Sequence, residues 1–371
     1  MRILVLCHEY PPVGGGAAAA CAALARRLTA RGDELVAVTM GYADLPARAS
    51  VDGLTLIRVP CGRKRKEMAS PLEGLRWARR AWPVVRDLHA ERPFDLTHAH
   101  FIMPAGIVAD RLRGRRGVPF AITPHGSDVP GYNRERLKLA HVVVRPWWRR
   151  IVRHASALVS PSRSLLAMIE ASAREPRGVV IPYAFEPRRF AVLDKRPRIL
   201  LCSRLVERKG FHVFLRAIAD LDLPGWGIDL VGDGPERERL EALAKRCRTP
   251  VTCHGWIDND DPRLAELYGH AAIFAFPSEW ENFPVTLLEG MSAGCAVITT
   301  NVSGNPEVIG DTGRLVPPND ESALRDAVVE LTSDPDLRAA LGRRAVARVN
   351  GELDGARIAE RYSELFAEIT R

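Results

Sequence analysis

Residues 2–39 read RILVLCHEYPPVGGGAAAACAALARRLTARGDELVAVT, and the changes of pattern inside that stretch decide the fold. Arg2 to Cys7 is an apolar run of strand length. His8 to Gly16 is a loop with two prolines and three consecutive glycines. From about Ala17 to Arg31 the residues favour a helix, which Gly32 closes, and Glu34 to Thr39 is a second strand. Strand, helix and strand in this order make a βαβ unit, so a parallel sheet follows.

The pattern continues outward. Apolar runs at Leu54 to Val59, Leu96 to His100, Phe120 to Thr123 and Ala157 to Ser160 extend the first series. Prolines at 176, 182, 187 and 197 then interrupt it, which places an interdomain linker over Pro176 to Pro197. A second series has strands at Arg198 to Cys202, Ile228 to Val231, Val251 to His254, Ile273 to Phe276, Ala296 to Thr300 and Arg314 to Val316. Its helices run over Gly210 to Ala219, Arg237 to Arg246, Pro262 to Gly269, Val285 to Ala293 and Glu321 to Thr332, the last capped by Asp320. At 371 residues the chain exceeds the size at which a single core stops growing. The expectation is α/β: two doubly wound Rossmann-like domains facing a central cleft, residues 1–182 and 183–352. Open sheets of this kind bind ligands beyond the carboxyl ends of their strands, which makes the cleft the expected site.

Composition narrows the class. No apolar stretch reaches the ~18 residues of a membrane span, and the chain opens on a strand, so a cytoplasmic protein is expected, with peripheral attachment at the inner membrane face as a refinement. Seven scattered cysteines without a C-x-x-C pair read as reduced and mostly buried. The net charge of +8 is unevenly spread: residues 1–185 hold 29 Lys/Arg against 15 Asp/Glu, and residues 186–371 hold 24 against 30. The basic clusters are Arg63 to Lys66, Arg76/Arg79/Arg80 and Arg111/Arg113/Arg115/Arg116, and Trp147-Trp148 stands beside Arg149, Arg150 and Arg153. An anionic membrane surface or an anionic acceptor would explain this half. Nucleic acid is not expected as a partner, since none of its binding modules is visible.

Two acids, Glu281 and Glu289, lie across a loop that turns into a helix, with Pro284 fitting its first position and Gly294 its stop. Such a helix aims free N–H groups and its positive end beside Glu281, which suits a phosphate-linked sugar, while Glu289 can accept paired hydrogen bonds from a ribose. Gly14-Gly15-Gly16 at the first helix would let backbone N–H groups approach a phosphate or its sugar. NAD is rejected: the G-x-G-x-x-G spacing is absent, and the second strand ends in Thr39-Met40-Gly41 without a ribose-binding acid. Arg204 after a strand and Lys209 before a helix supply the cations a diphosphate leaving group requires. His98 and His100 share one face of a strand, but no third metal ligand stands at a meaningful spacing, so a packed or hydrogen-bonded pair is expected.

Taken together, these residues resemble a family 4 retaining glycosyltransferase of the GT-B fold. The resemblance rests on Tyr10-Pro11-Pro12 with Gly14 to Gly16, Thr123 to Asp128, Ser203-Arg204-Leu205 with Lys209-Gly210, and Val231 to Pro235. It continues through Phe276-Pro277-Ser278, the E-x7-E pair Glu281 and Glu289, Gly304 to Val308, and Gly313 to Pro317. It implies that a hexose moves from a nucleotide sugar, UDP- or GDP-linked, to a hydroxyl of a glycan, lipid-linked or small-molecule acceptor, with no metal or cofactor. The N-terminal domain would bind acceptor and the C-terminal domain donor. Gly15 and Gly16 would approach the diphosphate or sugar, Arg204 and Lys209 would hold the diphosphate, and Glu289 would take the ribose. Glu281 would contact sugar hydroxyls with backbone N–H groups of Asn282, Phe283 and Val285, and Ile257 beside Trp256 would lie against the base. His125 would stand at the reacting centre, and His100 and Asp128 are acceptor-side candidates. The amphipathic segment Leu353 to Thr370, within 353–371, would cross back onto the first domain.

In a front-face mechanism the leaving phosphate takes the acceptor's proton, so the protein mainly orients groups and stabilises charge. Double displacement with Glu281 as nucleophile is the runner-up. Polysaccharide or glycolipid assembly is the expected setting; a soluble natural-product acceptor such as an aminocyclitol, a sugar-nucleotide 2-epimerase and a non-catalytic binding subunit are the alternatives. Two departures from the family pattern stand out: Ser203 replaces a usual glycine, and Tyr183-Ala184 replaces a frequent Asn-Gly.

Overall fold

A computed structural model describes residues 1–66, 68–132, 138–173, 178–187 and 190–371, without the side chains of 138–143. The chain divides into two compact units. Met1–Phe185 together with Gly355–Arg371 forms one, and Glu186–Asp354 the other.

The N-terminal unit runs β1 (Arg2–Cys7), α1 (Gly16–Ala30), β2 (Glu34–Met40), β3 (Arg48–Val51), β4 (Leu54–Val59), α2 (Pro71–Glu91) and β5 (Leu96–His100). It continues through α3 (Ala105–Arg116), β6 (Phe120–Thr123), α4 (Lys138–His154), β7 (Ala157–Ser160), α5 (Arg163–Ala173) and β8 (Gly178–Val180). The sheet order is β3-β4-β2-β1-β5-β6-β7-β8. Every neighbouring pair is parallel except β3 and β4. Those two form a hairpin on Asp52-Gly53, both at positive φ (49° and 81°), the geometry that Asp-Gly turns favour. The strand order reverses between β1 and β5, and all residues of β5 are buried, as a central strand covered on both faces requires.

The C-terminal helix Gly355–Ile369 belongs to this unit. It places Ile358, Tyr362 and Phe366 in one cluster with Ile3, Val5, Cys21, Leu24 and Leu28. A Cβ on Gly355 would lie 2.5 Å from the Phe185 carbonyl oxygen, so glycine lets the helix start against that strand-exit backbone.

The second unit runs β9 (Arg196–Cys202), a 3-10 turn Glu207–Lys209, α6 (Phe211–Ala217), β10 (Gly227–Val231), α7 (Arg237–Ala244), β11 (Val251–Gly255), α8 (Pro262–His270) and β12 (Ala271–Phe276). Then come α9 (Val285–Ser292), β13 (Ala296–Thr300), α10 (Asn305–Ile309), β14 (Gly313–Val316), α11 (Glu321–Ser333) and α12 (Pro335–Gly351); the C-terminal helix is α13. The order β11-β10-β9-β12-β13-β14 is parallel throughout. It is the doubly wound order with its reversal between β9 and β12, the crevice at which such sheets bind ligands.

Two local expectations change. Pro284 is extended (φ −72°, ψ 117°) and caps α9 instead of opening it, because the ring fixes φ and leaves ψ free; Gly294 closes the helix at φ 75° as read. The expected linker, Pro176 to Pro197, contains the sheet strand β8 and the start of β9; its residues 176–177 and 188–189 lie outside the described residues.

Candidate functional site

In the second unit, the segments after β9 and β12 meet. Gly210, at φ 71°, sits so close to β12's exit that a Cβ there would be 2.0 Å from the Pro277 carbonyl oxygen. The Glu279 amide donates to the Arg208 carbonyl (2.8 Å), and the Ser278 Oγ lies 3.1 Å from the same carbonyl. This clamp brings Lys209 and Glu281 together in a buried ion pair between Nζ and Oε1. Ser278 Oγ donates to the same carboxylate oxygen at 2.9 Å, and Lys209 Nζ stands 4.7 Å from the centre of the Phe276 ring. Burial would raise the Glu281 carboxyl, but the charges of Lys209 and Arg208 and the bonds from Lys209 and Ser278 hold it below its ordinary value. Burial in turn lowers the Lys209 ammonium, with Glu281 opposing.

A carboxylate held this way is a weak base and a weak nucleophile, which speaks against double displacement through Glu281. As an acceptor already turned into a rigid bracket, it is suited to orienting hydroxyls. Glu289, on the second turn of α9, accepts a 2.9 Å bond from the Tyr268 hydroxyl and is half-buried. Asn282, Phe283 and Ile257 are buried, Val285 is half-buried, and Arg204 and Trp256 are exposed.

In the first unit, the carboxyl ends of β1, β5 and β6 assemble four histidines. His98 Nε2 bonds Thr123 Oγ1 (2.9 Å), and the His98 and His100 ring centres are 4.3 Å apart, a packed pair as expected. His100 Nδ1 is 3.1 Å from His125 Nε2, and His125 Nδ1 is 2.7 Å from the Tyr183 hydroxyl. His8 packs on Phe101, which also packs on His125 (4.4 and 4.5 Å). Burial lowers all four imidazoles, His8 and His100 to about 3, so the cluster is uncharged at neutral pH. No group of three or more His, Cys, Asp or Glu side chains able to hold a metal occurs among the described residues.

Asp128 is a bracket for this loop. Its carboxylate accepts from the amides of Ile102 (2.6 Å) and His125 (3.0 Å), fixing the segments that follow β5 and β6 relative to each other. Burial pushes its carboxyl up to about 6 against those bonds. Gly15 and Gly16 are exposed, with nothing within 4 Å of where a Cβ would stand, whereas Gly14 holds φ 100°. Tyr183, Ser278 and Tyr268 carry contacts that sequence reasoning did not assign; Tyr183 was visible only as a departure from the family pattern.

The basic half is corrected in two places. Arg63 turns inward, its guanidinium bonded to the carbonyls of His8, Arg65 and Lys66 and paired with Glu9, since a buried guanidinium needs acceptors for its fork of donors. Trp148 is 1% exposed, its indole donating to the Asp128 carbonyl (2.8 Å), while Trp147 is 59% exposed. The tryptophans therefore face opposite ways. Lys64, Arg65, Lys66, Arg76 and Arg79 are exposed, and so are Leu72 (65%) and Leu75 (50%).

Residues 184–348 match the family model described as glycosyl transferases group 1, and residues 15–184 match the glycosyl transferase 4-like domain. The N-acetyl-alpha-D-glucosaminyl L-malate synthase of Bacillus anthracis is 24% identical over 100% of this chain and 98% of its own. Among solved structures, the sucrose-phosphate synthase of Thermosynechococcus elongatus superposes with a TM-score of 0.84 at 23% identity, covering 100% of this chain and 99% of that one. HepE of Anabaena, in complex with UDP-glucose, gives 0.76 at 18% identity over 99% and 100%. With both sheets, both family models and these neighbours in agreement, the chain belongs to the group 1, family 4 type glycosyltransferases of the GT-B fold.

Proposed function

We propose that this glycosyltransferase moves a hexose from a UDP- or GDP-sugar to an acceptor hydroxyl with retention of configuration, in the assembly of a polysaccharide or glycolipid. The observation that carries the donor side is the buried Lys209–Glu281 pair at the sheet reversal of the second unit. Isolating two opposite charges from water is costly and rarely serves stability alone. Here it provides an ammonium for the leaving diphosphate next to a carboxylate for sugar hydroxyls. Arg204 is the second diphosphate cation, the backbone from Asn282 to Val285 and the start of α9 face the phosphate-linked sugar, Glu289 holds the ribose, and Ile257 lies against the base. Gly15 and Gly16 admit the diphosphate or its sugar to the backbone of α1. The first unit serves the acceptor side through His100 and Asp128, and His125 orients the transferred sugar. HepE, a structural neighbour, was solved with UDP-glucose, which supports the uridine class first.

Calorimetry with UDP-, GDP-, dTDP- and ADP-sugars and their bare nucleotides tests this. One nucleotide class should bind at micromolar Kd, and Glu289→Ala should weaken it by about tenfold, the loss of one charge-assisted hydrogen-bond pair. No binding by any sugar nucleotide would sink the reading. Conversion of the sugar nucleotide to an isomer without any acceptor would instead favour the epimerase alternative.

A further inference from the structure

The His125 ring is engaged on both sides. The Tyr183 hydroxyl is 2.7 Å from Nδ1, with the two rings stacked at 5.3 Å and 28°, and His100 Nδ1 is 3.1 Å from Nε2, those rings at 5.3 Å and 17°. Both contacts lie inside the N-terminal unit. A neutral imidazole has one N–H and one lone pair, so its two neighbours decide which nitrogen holds the proton. The lone pair of an imidazole nitrogen is a better acceptor than a phenol oxygen, and a phenol is the better donor of the two. The short Tyr183 contact is therefore O–H to Nδ1, which leaves the proton on Nε2. That N–H then donates to His100 Nδ1, and His100 carries its own proton on Nε2.

We propose that Tyr183 is a positioning residue that fixes His125 as its Nε2–H tautomer, so that His125 offers an uncharged N–H donor to a sugar hydroxyl, with His100 Nδ1 as the alternative acceptor. No proton is transferred; the hydrogen bond is exchanged between two acceptors. A donor without charge suits a centre where positive charge develops on the sugar ring, because an imidazolium there would oppose it. The inference rests on the reading of His125 as the residue at the transferred sugar. Tyr183 stands where the family frequently has asparagine, so this control of the tautomer is a property of this chain's own sequence.

The test combines two readouts on the whole chain. Nitrogen NMR of histidine-labelled protein, with His125→Gln to assign the signal, reports the tautomer without any substrate. The expected result is an unprotonated Nδ1 and a protonated Nε2 in wild type, and a mixed or inverted pattern in Tyr183→Phe. Turnover of UDP-glucose, or of GDP-mannose if the guanosine class binds, should fall about tenfold in kcat for Tyr183→Phe, a fraction of what a positioned acid or base supplies, with KM within about twofold. A protonated Nδ1 in wild type, or an unchanged tautomer in Tyr183→Phe, would overturn the inference. So would unchanged kcat in Tyr183→Phe alongside lost turnover in His125→Gln. If His125→Gln keeps full turnover, the role of His125 at the sugar fails, while the tautomer measurement still decides what Tyr183 does. Should Tyr183→Phe not fold, the wild-type spectrum alone decides.

Discussion

Gly14, Gly15 and Gly16 are consecutive, yet the fold requires only the first. At φ 100°, a Cβ on Gly14 would also stand 2.7 Å from the Glu9 Cβ and 2.9 Å from the Ala18 Cβ, so Gly14→Ala should cost about 1–3 kcal/mol in denaturant unfolding. Gly15→Ala and Gly16→Ala meet nothing and should stay within about 0.5 kcal/mol of wild type. If backbone must come close to a diphosphate there, the same two variants should lose about tenfold in nucleotide-sugar affinity, one unit of 1.4 kcal/mol; full affinity would remove them from the site. Asp128 gives a second test at this scale, in pH. A carboxyl raised to about 6 binds its proton more tightly in the folded chain than the ordinary 3.8 allows, so its contribution is present in acid and is lost as pH rises from about 4 to 6. The buried histidines act oppositely: their lowered values mean that stability falls as pH drops below about 6.5. Asp128→Asn removes one of two opposing slopes. Between pH 4 and 6 the stability of wild type relative to Asp128→Asn should decline by about 2 kcal/mol, at 1.36 kcal/mol per pKa unit; parallel curves would show that the carboxyl does not titrate there.

At the scale of elements, α13 is the clearest case of sequence written for one partner. Ile358, Tyr362 and Phe366 recur every four residues and are buried against α1 and the sheet, and Thr123 Oγ1 lies 3.4 Å from the Tyr362 hydroxyl. Phe366→Ala should destabilise the N-terminal unit by about 3–5 kcal/mol, and deletion of 353–371 should abolish its cooperative melting; an unchanged melting curve would reject the role assigned to this helix. Its periodicity was legible, as were β6, β7 and β13, which are mostly apolar runs with clear ends; β5, Leu-Thr-His-Ala-His, was placed by its position in the alternating series. The four residues of β3 alternate between half-buried and exposed, too short and too polar a pattern to register. In α12, the buried positions Leu341, Gly342, Ala345 and Val349 are mostly small, and the arginines between them mask the stripe. The donor motif was legible as residue types at fixed spacing. The Lys209–Glu281 pair was not, since 72 residues separate its members and the contacts that join them, the Gly210–Pro277 approach and those of Ser278 and Glu279 with the Arg208 carbonyl, are tertiary. Nor does composition tell which way a side chain faces, which is why Arg63 and Trp148 were read as surface.

At the scale of the whole molecule the charge asymmetry asks for a partner, and the structure redistributes the residues that meet it. With Arg63 and Trp148 turned inward, the exposed set around the start of α2 includes Lys64, Arg65, Lys66, Arg76 and Arg79, Arg80 being exposed too but donating to the Pro60 carbonyl (2.8 Å), with Leu72 and Leu75 three residues apart on the same helical face. Ser70 and Glu73 form a capping box beneath them, with Ser70 accepting from the Glu73 amide at 3.3 Å and Glu73 accepting from the amides of Ser70 and Lys64, which spends the nearby acid internally. No described helix is long and apolar enough to cross a membrane. Each Lys or Arg near an anionic leaflet is worth about 1 kcal/mol at moderate salt, and each leucine buried among headgroups about 1.5–3 kcal/mol at most. The two contributions separate experimentally. Sedimentation with vesicles containing phosphatidylglycerol should show binding that weakens as salt rises past the screening range of about 0.1–0.5 M, and neutral phosphatidylcholine vesicles should retain little. Replacing Lys64, Arg65, Lys66, Arg76 and Arg79 by glutamine should remove the salt-dependent part. Leu72→Ser with Leu75→Ser should weaken binding by a similar factor at every salt concentration, because apolar insertion is not screened. Binding that is indifferent to both sets, or equal on neutral and anionic vesicles, would detach the basic half from the membrane and leave an anionic acceptor as its reason.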